Sequence, residues 1–411
     1  MSLWTRFFGA ERKSSALGAE TLELLRSLGY ARESKSGTTV TWDSALDVST
    51  VLACVRVIAE GIAQVPIEIR SARPDGGSEL AADHPLFSVL ARKPNAWQTS
   101  FGFRETLIFH VALAGNAFFF KNVVGGKLVE LIPLLPGHVT VERLSSLAIR
   151  YRVRSEVDGT EQIFPQEAIW HIRGPSWNTW SGMDATKRAR EAIGLAVATE
   201  ESQALLHRNG AKPSMLYSIN EKLDEAGYKS LIGWIESHVS GAAAHKPFVL
   251  DGGATATPLT MTGVDAQHLE TRKFQIEEVC RHFKVFPMMV GHSDKTATFA
   301  SAEAFFDAHI KHTIHPWCER IESAINVDLI GGDGTVFAEF DLDGLQRGAF
   351  KDRYEGYAKA LGSGGSPAWM TQDEVRAKEN LNPMGGDAAK LPKPVAQPAK
   401  PTLTPAEDEK E

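Results

Sequence analysis

Cysteine is scarce in this chain. Its 411 residues hold three, Cys54, Cys280 and Cys318, which are scattered, odd in number and free of CxxC spacing. That excludes a disulfide framework or a zinc ribbon, and it fits a reducing compartment. No apolar run approaches the roughly 18 residues that would mark a membrane helix, so no span is expected. The start, Met1-Ser-Leu-Trp-Thr-Arg-Phe-Phe-Gly9, lacks the apolar stretch of a secretory leader. Its Trp4, Phe7 and Phe8 read as a tucked or mobile terminus, with a docking arm as the second reading. Nucleotide chemistry is missing as well: Gly125-Gly126-Lys127 is followed by Leu128, without the earlier glycine or the Ser/Thr of a phosphate-binding loop. There is no GxSxG elbow, no Cys/His signature and no GxGxxG after a strand. A surplus of positive charge is absent too. The net charge of −7 counts against a tight nucleic-acid clamp, whose affinity comes from phosphate neutralisation. It is compatible with a wall along which a polyanion slides.

Metal chemistry finds little support. His309, His312 and His315 recur every three residues, but the third drifts around the helix and HExxH is absent, so they read as surface or intersubunit histidines. Asp341-Leu-Asp343-Gly reads as a strand end and turn. No metal or cofactor is expected.

What is present is ordinary for a folded chain of two or three domains: 43% hydrophobic and 23% charged residues. The strongest pattern is a helix, a short polar loop and a longer helix over residues 264–330. Thr262-Gly-Val-Asp265 reads as a capping box, and Leu269, Ile276, Cys280 and Phe283 form an apolar stripe. Glu277 and Arg281 have the spacing of an ion pair, and Val285-Phe286-Pro287 should end the helix. The loop that follows carries Ser293, Lys295, Thr296 and Thr298. A second helix is expected from Ser301, with Ile310, Ile314, Trp317, Ile321 and Ile325 on one face and a kink at Pro316.

Taken in order, residues 1–45 read as a loosely held arm with a helical patch at Glu20-Thr-Leu-Glu-Leu-Leu-Arg26. A helix opens at Asp47, followed by a strand at Pro66–Arg70 and a turn at Asp75-Gly-Gly. Helices at His84–Leu90 and Thr99–Ala114 precede strands at Asn116–Lys121, Leu128–Pro133, Val139–Glu142, Tyr151–Arg154 and Ile169–Ile172. A long helix spans Asp184–Asn209, closed by Gly210 and Pro213, and its small residues suit close helix approach around a ring. Lys187, Arg188 and Arg190 in its first turns read as a solvated face or as a contact to DNA or a neighbouring subunit. Strands at Met215–Ile219 and Pro247–Leu250 flank a helix at Asp224–Ser237, and Gly241–His245 reads as a mobile tip. Helices at Gly348–Leu361 and Thr371–Asn380 follow, the latter opened by the capping box Thr371-Gln-Asp-Glu374. Beyond about residue 385 the Pro, Ala, Lys and Glu content predicts disorder.

The segments DAQHLETRKFQIEEVCRHFKVFPMMVGHSDKTATFASAEAFF (265–306) and IHPWCERIESAIN (314–326) resemble the core of portal proteins of tailed double-stranded-DNA phages, of the short-chain lambdoid siphophage and prophage type. DVSTVLACVRVIAEGIAQVPIEI (47–69), HPLFSVLARKPNAWQTSFGFRETL (84–107) and LAGNAFFFK (113–121) extend the resemblance to about residues 45–385. It implies a mixed α+β portal fold with an α/β wing, a helical stem, a small α/β clip inserted between the stem helices, and a helical crown. The boundaries it implies are a flexible arm 1–45, wing 46–180, stem helix 181–212, clip 213–262 and second stem helix 263–290. A tunnel loop 291–300, kinked wing helix and strand 301–345, crown 346–384 and disordered tail 385–411 complete the chain.

The resemblance also implies a non-enzymatic ring, a dodecamer in its expected form, at one capsid vertex of the virion and assembled in the bacterial host cytoplasm. Double-stranded DNA would pass through it during packaging and ejection without sequence-specific contact. Terminase large subunit, head-tail adaptor and major capsid or scaffolding protein are the implied partners. Lys295, repeated around a ring, would form a belt of charges near passing phosphates, with hydroxyls adding sequence-blind contacts; the plain reading is a solvent-exposed lysine. The alternatives are another virion structural protein, such as an adaptor or minor head protein, and, further off, a packaging or maturation enzyme.

Overall fold

The computed structural model describes residues 32–74, 76–208, 215–218, 224–239, 255–258, 264–292, 299–332, 334–345, 350–363, 367–379 and 381–392. Two compact units divide at Leu342 and Asp343. In the larger unit, β1 (Arg32–Glu33) and β2 (Thr39–Val40) precede α1 (Trp42–Asp47) and α2 (Ser49–Ala63). Next come β3 (Ile67–Ala72), β4 (Ser78–Leu80), the one-turn α3 (Pro85–Phe87) and α4 (Ser100–Ala114). Six strands follow: β5 (Asn116–Val124), β6 (Lys127–Leu134), β7 (Val139–Arg143), β8 (Ile149–Arg154), β9 (Glu161–Pro165) and β10 (Ile169–Arg173). The remaining elements of this unit are α5 (Ala185–Arg208), β11 (Met215–Ser218), α6 (Glu225–Val239), β12 (Thr255–Pro258), α7 (Val264–Phe283), α8 (Phe299–His309), α9 (His315–Ile325) and β13 (Val336–Phe340). The smaller unit holds α10 (Phe350–Ala360) and α11 (Gln372–Lys378).

Helix α2 is the centre of the core. Val51, Cys54, Val55, Ile58, Ala59, Ile62 and Ala63 are all buried, a wide stripe wedged between α4 and α7. Cys54 and Cys280 meet across the α2–α7 contact with their Sγ atoms 3.7 Å apart, so both thiols serve as packing groups, and Cys318 is buried too. Gly61 permits the crossing with residues 310–314, because a Cβ there would sit 2.7 Å from Ile314 Cδ1. The β10–β5–β6 sheet and the β7–β8–β9 sheet are both antiparallel and share one cluster: Phe118, Leu134, Val139, Tyr151, Val153 and Ile169. Far apart in sequence, β13 pairs with β3, placing Ala338 opposite Ile69 and closing the unit.

Several local expectations change. The strand β9, not expected from the sequence, pairs only with β8 and ends at Pro165, at a sheet edge where proline is tolerated. Helix α8 begins at Phe299 rather than Ser301. The expected kink at Pro316 takes the form of a π-helical turn over Ile310–Ile314, just before the proline in a helical run that continues from α8 into α9. Arg281 pairs with Glu278, not Glu277. The buried face of α7 is Gln275, Val279, Cys280 and Phe283, with Ile276 only half-buried.

Residues 32–45 are not a loose arm. The β1–β2 hairpin lies on α5, with Thr38 Oγ1 donating to Gly194 O at 3.0 Å and Lys35 N donating to Glu191 Oε2 at 3.0 Å. Gly194 therefore serves a contact within the chain: a Cβ there would overlap Ser34. At the other end, order persists past residue 385, because the Asp373 carboxylate accepts from Met384 N and Gly385 N and Gly386–Ala389 forms a 3-10 turn. The Thr371–Glu374 capping box is present as expected. Thr262, Gly210, Pro213, the 247–250 strand, the 241–245 tip and Leu269's side chain lie outside the described residues.

Candidate functional site

Helices α5 and α7, which the resemblance would make the stem, pack against each other. Polar contacts set their register: Arg272 Nη1 donates to Gln203 Oε1 at 3.2 Å and lies 3.6 Å from Glu200, while Gln275 Nε2 donates to Thr199 Oγ1 at 3.4 Å. After α7 the chain turns sharply, with Lys284 at φ +55° and Gly291 at φ +79° bracketing the 3-10 turn Pro287–Val290. Thr313 Oγ1, from the π turn, donates to Lys284 O at 2.6 Å and ties the returning helix to this bend. Ser293, Lys295, Thr296 and Thr298 lie outside the described residues. His309 is buried whereas His312 and His315 are exposed, and no group of His, Cys, Asp or Glu suited to a metal occurs among the described residues. No helix among them is long and apolar enough to cross a membrane.

The start of α5 carries the other candidate residues. Asp184 caps it, accepting from Lys187 N at 2.8 Å, and also accepts from Trp42 Nε1 at 3.2 Å. Burial pushes its carboxyl above the ordinary range, and these hydrogen bonds act in the opposite direction. Lys187 and Arg188 are exposed and form no ion pair with a described residue. Arg190 is half-buried and pairs with Glu191 at 3.1 Å, so the three cations do not act as one patch.

The loop leading into α5 is held by close backbone approach. Gly115, at φ +73°, takes Gly174 N on its carbonyl at 2.8 Å, and a Cβ on Gly182 would overlap that same carbonyl. Asn116 Oδ1 accepts from Gly182 N at 2.7 Å and faces His171 Nε2 at 3.0 Å, while Nδ2 donates to Ala114 O. His171 Nδ1 meets the Tyr151 hydroxyl at 3.2 Å. Ser176 Oγ donates to Ser181 O at 2.6 Å and accepts from Thr179 N, which stabilises Thr179 at φ +72°. The pinned loop presents Trp177 at 88% exposure, and Arg143 stacks over Trp180 at 5.0 Å. Trp42, Trp177, Trp180 and Val139 line a groove of about 440 Å³, with Lys187 and Arg188 also on its wall. Sequence reasoning noted the cations but missed the tryptophans; the available signal was Trp177-Asn-Thr-Trp180 inside a Gly-, Pro- and Ser-rich loop.

The described residues form a mixed fold of small antiparallel sheets, a buried central helix and a packed pair of long helices with a small α/β insert between them. A family model described as phage portal protein matches residues 49–380. The portal protein of Enterobacteria phage HK97 is 29% identical over 351 residues, covering 84% of this chain and 81% of that one. The probable portal protein of Streptomyces phage phiC31 is 29% identical over 405 residues, covering 93% and 86%. A chain from the neck of a native gene transfer agent particle, computed with C12 symmetry, shares the fold at a TM-score of 0.57 and 22% identity, over 88% of this chain and 99% of that one. The chain belongs to the phage portal protein family, a family of structural proteins.

Proposed function

We propose that this chain is the subunit of a ring at one capsid vertex, through which double-stranded DNA passes during packaging and ejection. The family match over residues 49–380 carries the reading. The fold shared with a chain of a C12-symmetric neck supports a closed ring of twelve copies. In this reading α5 and α7 form the stem, and residues 293–298 project Lys295 toward the channel with Ser293, Thr296 and Thr298 beside it. Lys187 and Arg188 offer further cationic contacts, and Arg190 is held back by Glu191. The ring docks the terminase large subunit during packaging, the head-tail adaptor afterwards, and the major capsid or scaffolding protein at its rim. Assembly takes place in the bacterial cytoplasm, and no covalent chemistry is involved.

The net charge of −7 suits this work, because a weakly binding wall lets the duplex slide. The test is electron microscopy of the purified full-length protein viewed end-on. Rings with a central hole wide enough for duplex DNA are expected. Monomers or dimers alone, at every salt and protein concentration tried, would overturn the reading and bring back the adaptor.

A further inference from the structure

The tryptophan groove beside the start of α5 has no described segment covering Trp177, yet it has the features of a docking site. Its aromatic walls are preorganised: the loop is fixed by Asn116, Ser176 and the Gly115–Gly174–Gly182 contacts, so little conformational entropy is lost on binding. Exposed tryptophan on a rigid loop is a strong anchor for a partner. Two cations, Lys187 and Arg188, stand on the same wall without ion-pair partners among the described residues. The occupant should therefore be apolar on one side and acidic beside it.

One segment of this chain has that chemistry. Glu20-Thr-Leu-Glu-Leu-Leu-Arg-Ser-Leu28 places Leu24, Leu25 and Leu28 at helical spacing, with Leu22 next to them and Glu20 and Glu23 flanking the apolar face. It also lies within reach. The described chain begins at Arg32, in a hairpin fixed to Gly194 through Thr38. Lys187 is seven residues before Gly194 on the same helix, about 10 Å along its axis at 1.5 Å per residue. The four steps from Leu28 to Arg32 span up to about 13 Å. Ten residues after Arg32, Trp42 is itself a wall of the groove, so the incoming chain already borders it.

We infer that the acidic, leucine-rich segment Glu20–Leu28 of this chain docks in the groove formed by Trp42, Trp177 and Trp180, with Glu20 and Glu23 meeting Lys187 and Arg188. This goes beyond the portal reading and stands independently of ring formation. The reach from Arg32 makes the occupant the chain's own segment, which would cover the groove within a single subunit.

The test is cross-linking in the full-length protein with Leu25→Cys and Thr140→Cys, since Thr140 is exposed on the groove wall and the native cysteines are buried. Leu25→Cys with Lys127→Cys is the control. Lys127 starts β6 at the far end of the β5–β6 hairpin, and Val124 is eight residues along β5 from Asn116, roughly 26 Å away. A short bis-maleimide should couple the groove pair at least tenfold faster than the control. A fast band at monomer size supports the proposal, and a ladder of dimers and higher species in its place would overturn it. Lys187→Glu with Arg188→Glu should slow coupling severalfold, and adding Glu20→Lys with Glu23→Lys should restore it. Lys187 and Arg188 are exposed, so their swaps test recognition without disturbing the core. A groove pair no faster than the control, or a rate indifferent to the charge swaps, would overturn the proposal even if rings form normally.

Discussion

At the scale of single residues, two histidine rings shape how the protein responds to acid. Burial pushes the His171 imidazole down to about 3, with Arg173 adding to the effect, and burial alone takes His110 to about 4. Both rings are therefore neutral in the folded protein and titrate near 6.5 once unfolded. A depressed folded pKa means that stability is complete above about 6.5 and is lost as pH falls toward the folded values. Each ring removes about 1.4 kcal/mol per pH unit in that window. Thermal melts should show the midpoint dropping steeply from pH 6.5 to 4, and His110→Gln should flatten the curve. An unchanged slope in the variant would assign the acid sensitivity elsewhere. Nothing in Ile169-Trp-His-Ile172 announces this, because a histidine in a strand looks the same whether it faces water or Asn116 and Tyr151.

At the scale of elements, helices with a continuous apolar stripe were recognisable and those whose surroundings supply the order were not. Helix α2 follows its stripe from Val51 to Ile62 because burial there is one-sided and periodic. The expected kink at Pro316 was a π turn immediately before it, and the edge strand β9 had drawn no expectation. The loop at 174–184 carries no periodicity at all, since it is held by backbone and amide groups of Gly115 and Asn116 some sixty residues earlier. Gly182→Ala tests that hold. Its methyl would overlap the Gly115 carbonyl, which is backbone and cannot swing aside. A loss of about 1–3 kcal/mol is expected from denaturant titration, whereas Gly233→Ala, with open space around it, should not destabilise. Equal effects at the two sites would show that the loop relaxes freely.

At the scale of the whole molecule, a ring multiplies weak surface features. One exposed cation per subunit hardly binds DNA, but a belt of them holds a duplex in a salt-dependent way. Purified rings should retain duplex DNA at low salt and release it as salt rises. Lys295→Ala should reduce the slope of log affinity against log salt by about 0.9 for each phosphate that the variant ring no longer neutralises. Rings that retain DNA with the wild-type slope would remove Lys295 from the channel wall. The family was recognisable from the resemblance carried by residues 47–69, 84–107, 113–121, 265–306 and 314–326. The mixed α+β class and the helix–loop–helix followed from local rules. Only the tertiary structure decided what Gly194 is for, that residues 32–45 belong to the body of the protein, and that Trp42 borders one groove with the sequence-distant Trp177 and Trp180. Periodicity reports which face of an element is buried; which distant segment buries it depends on packing and backbone approach, which no local pattern encodes.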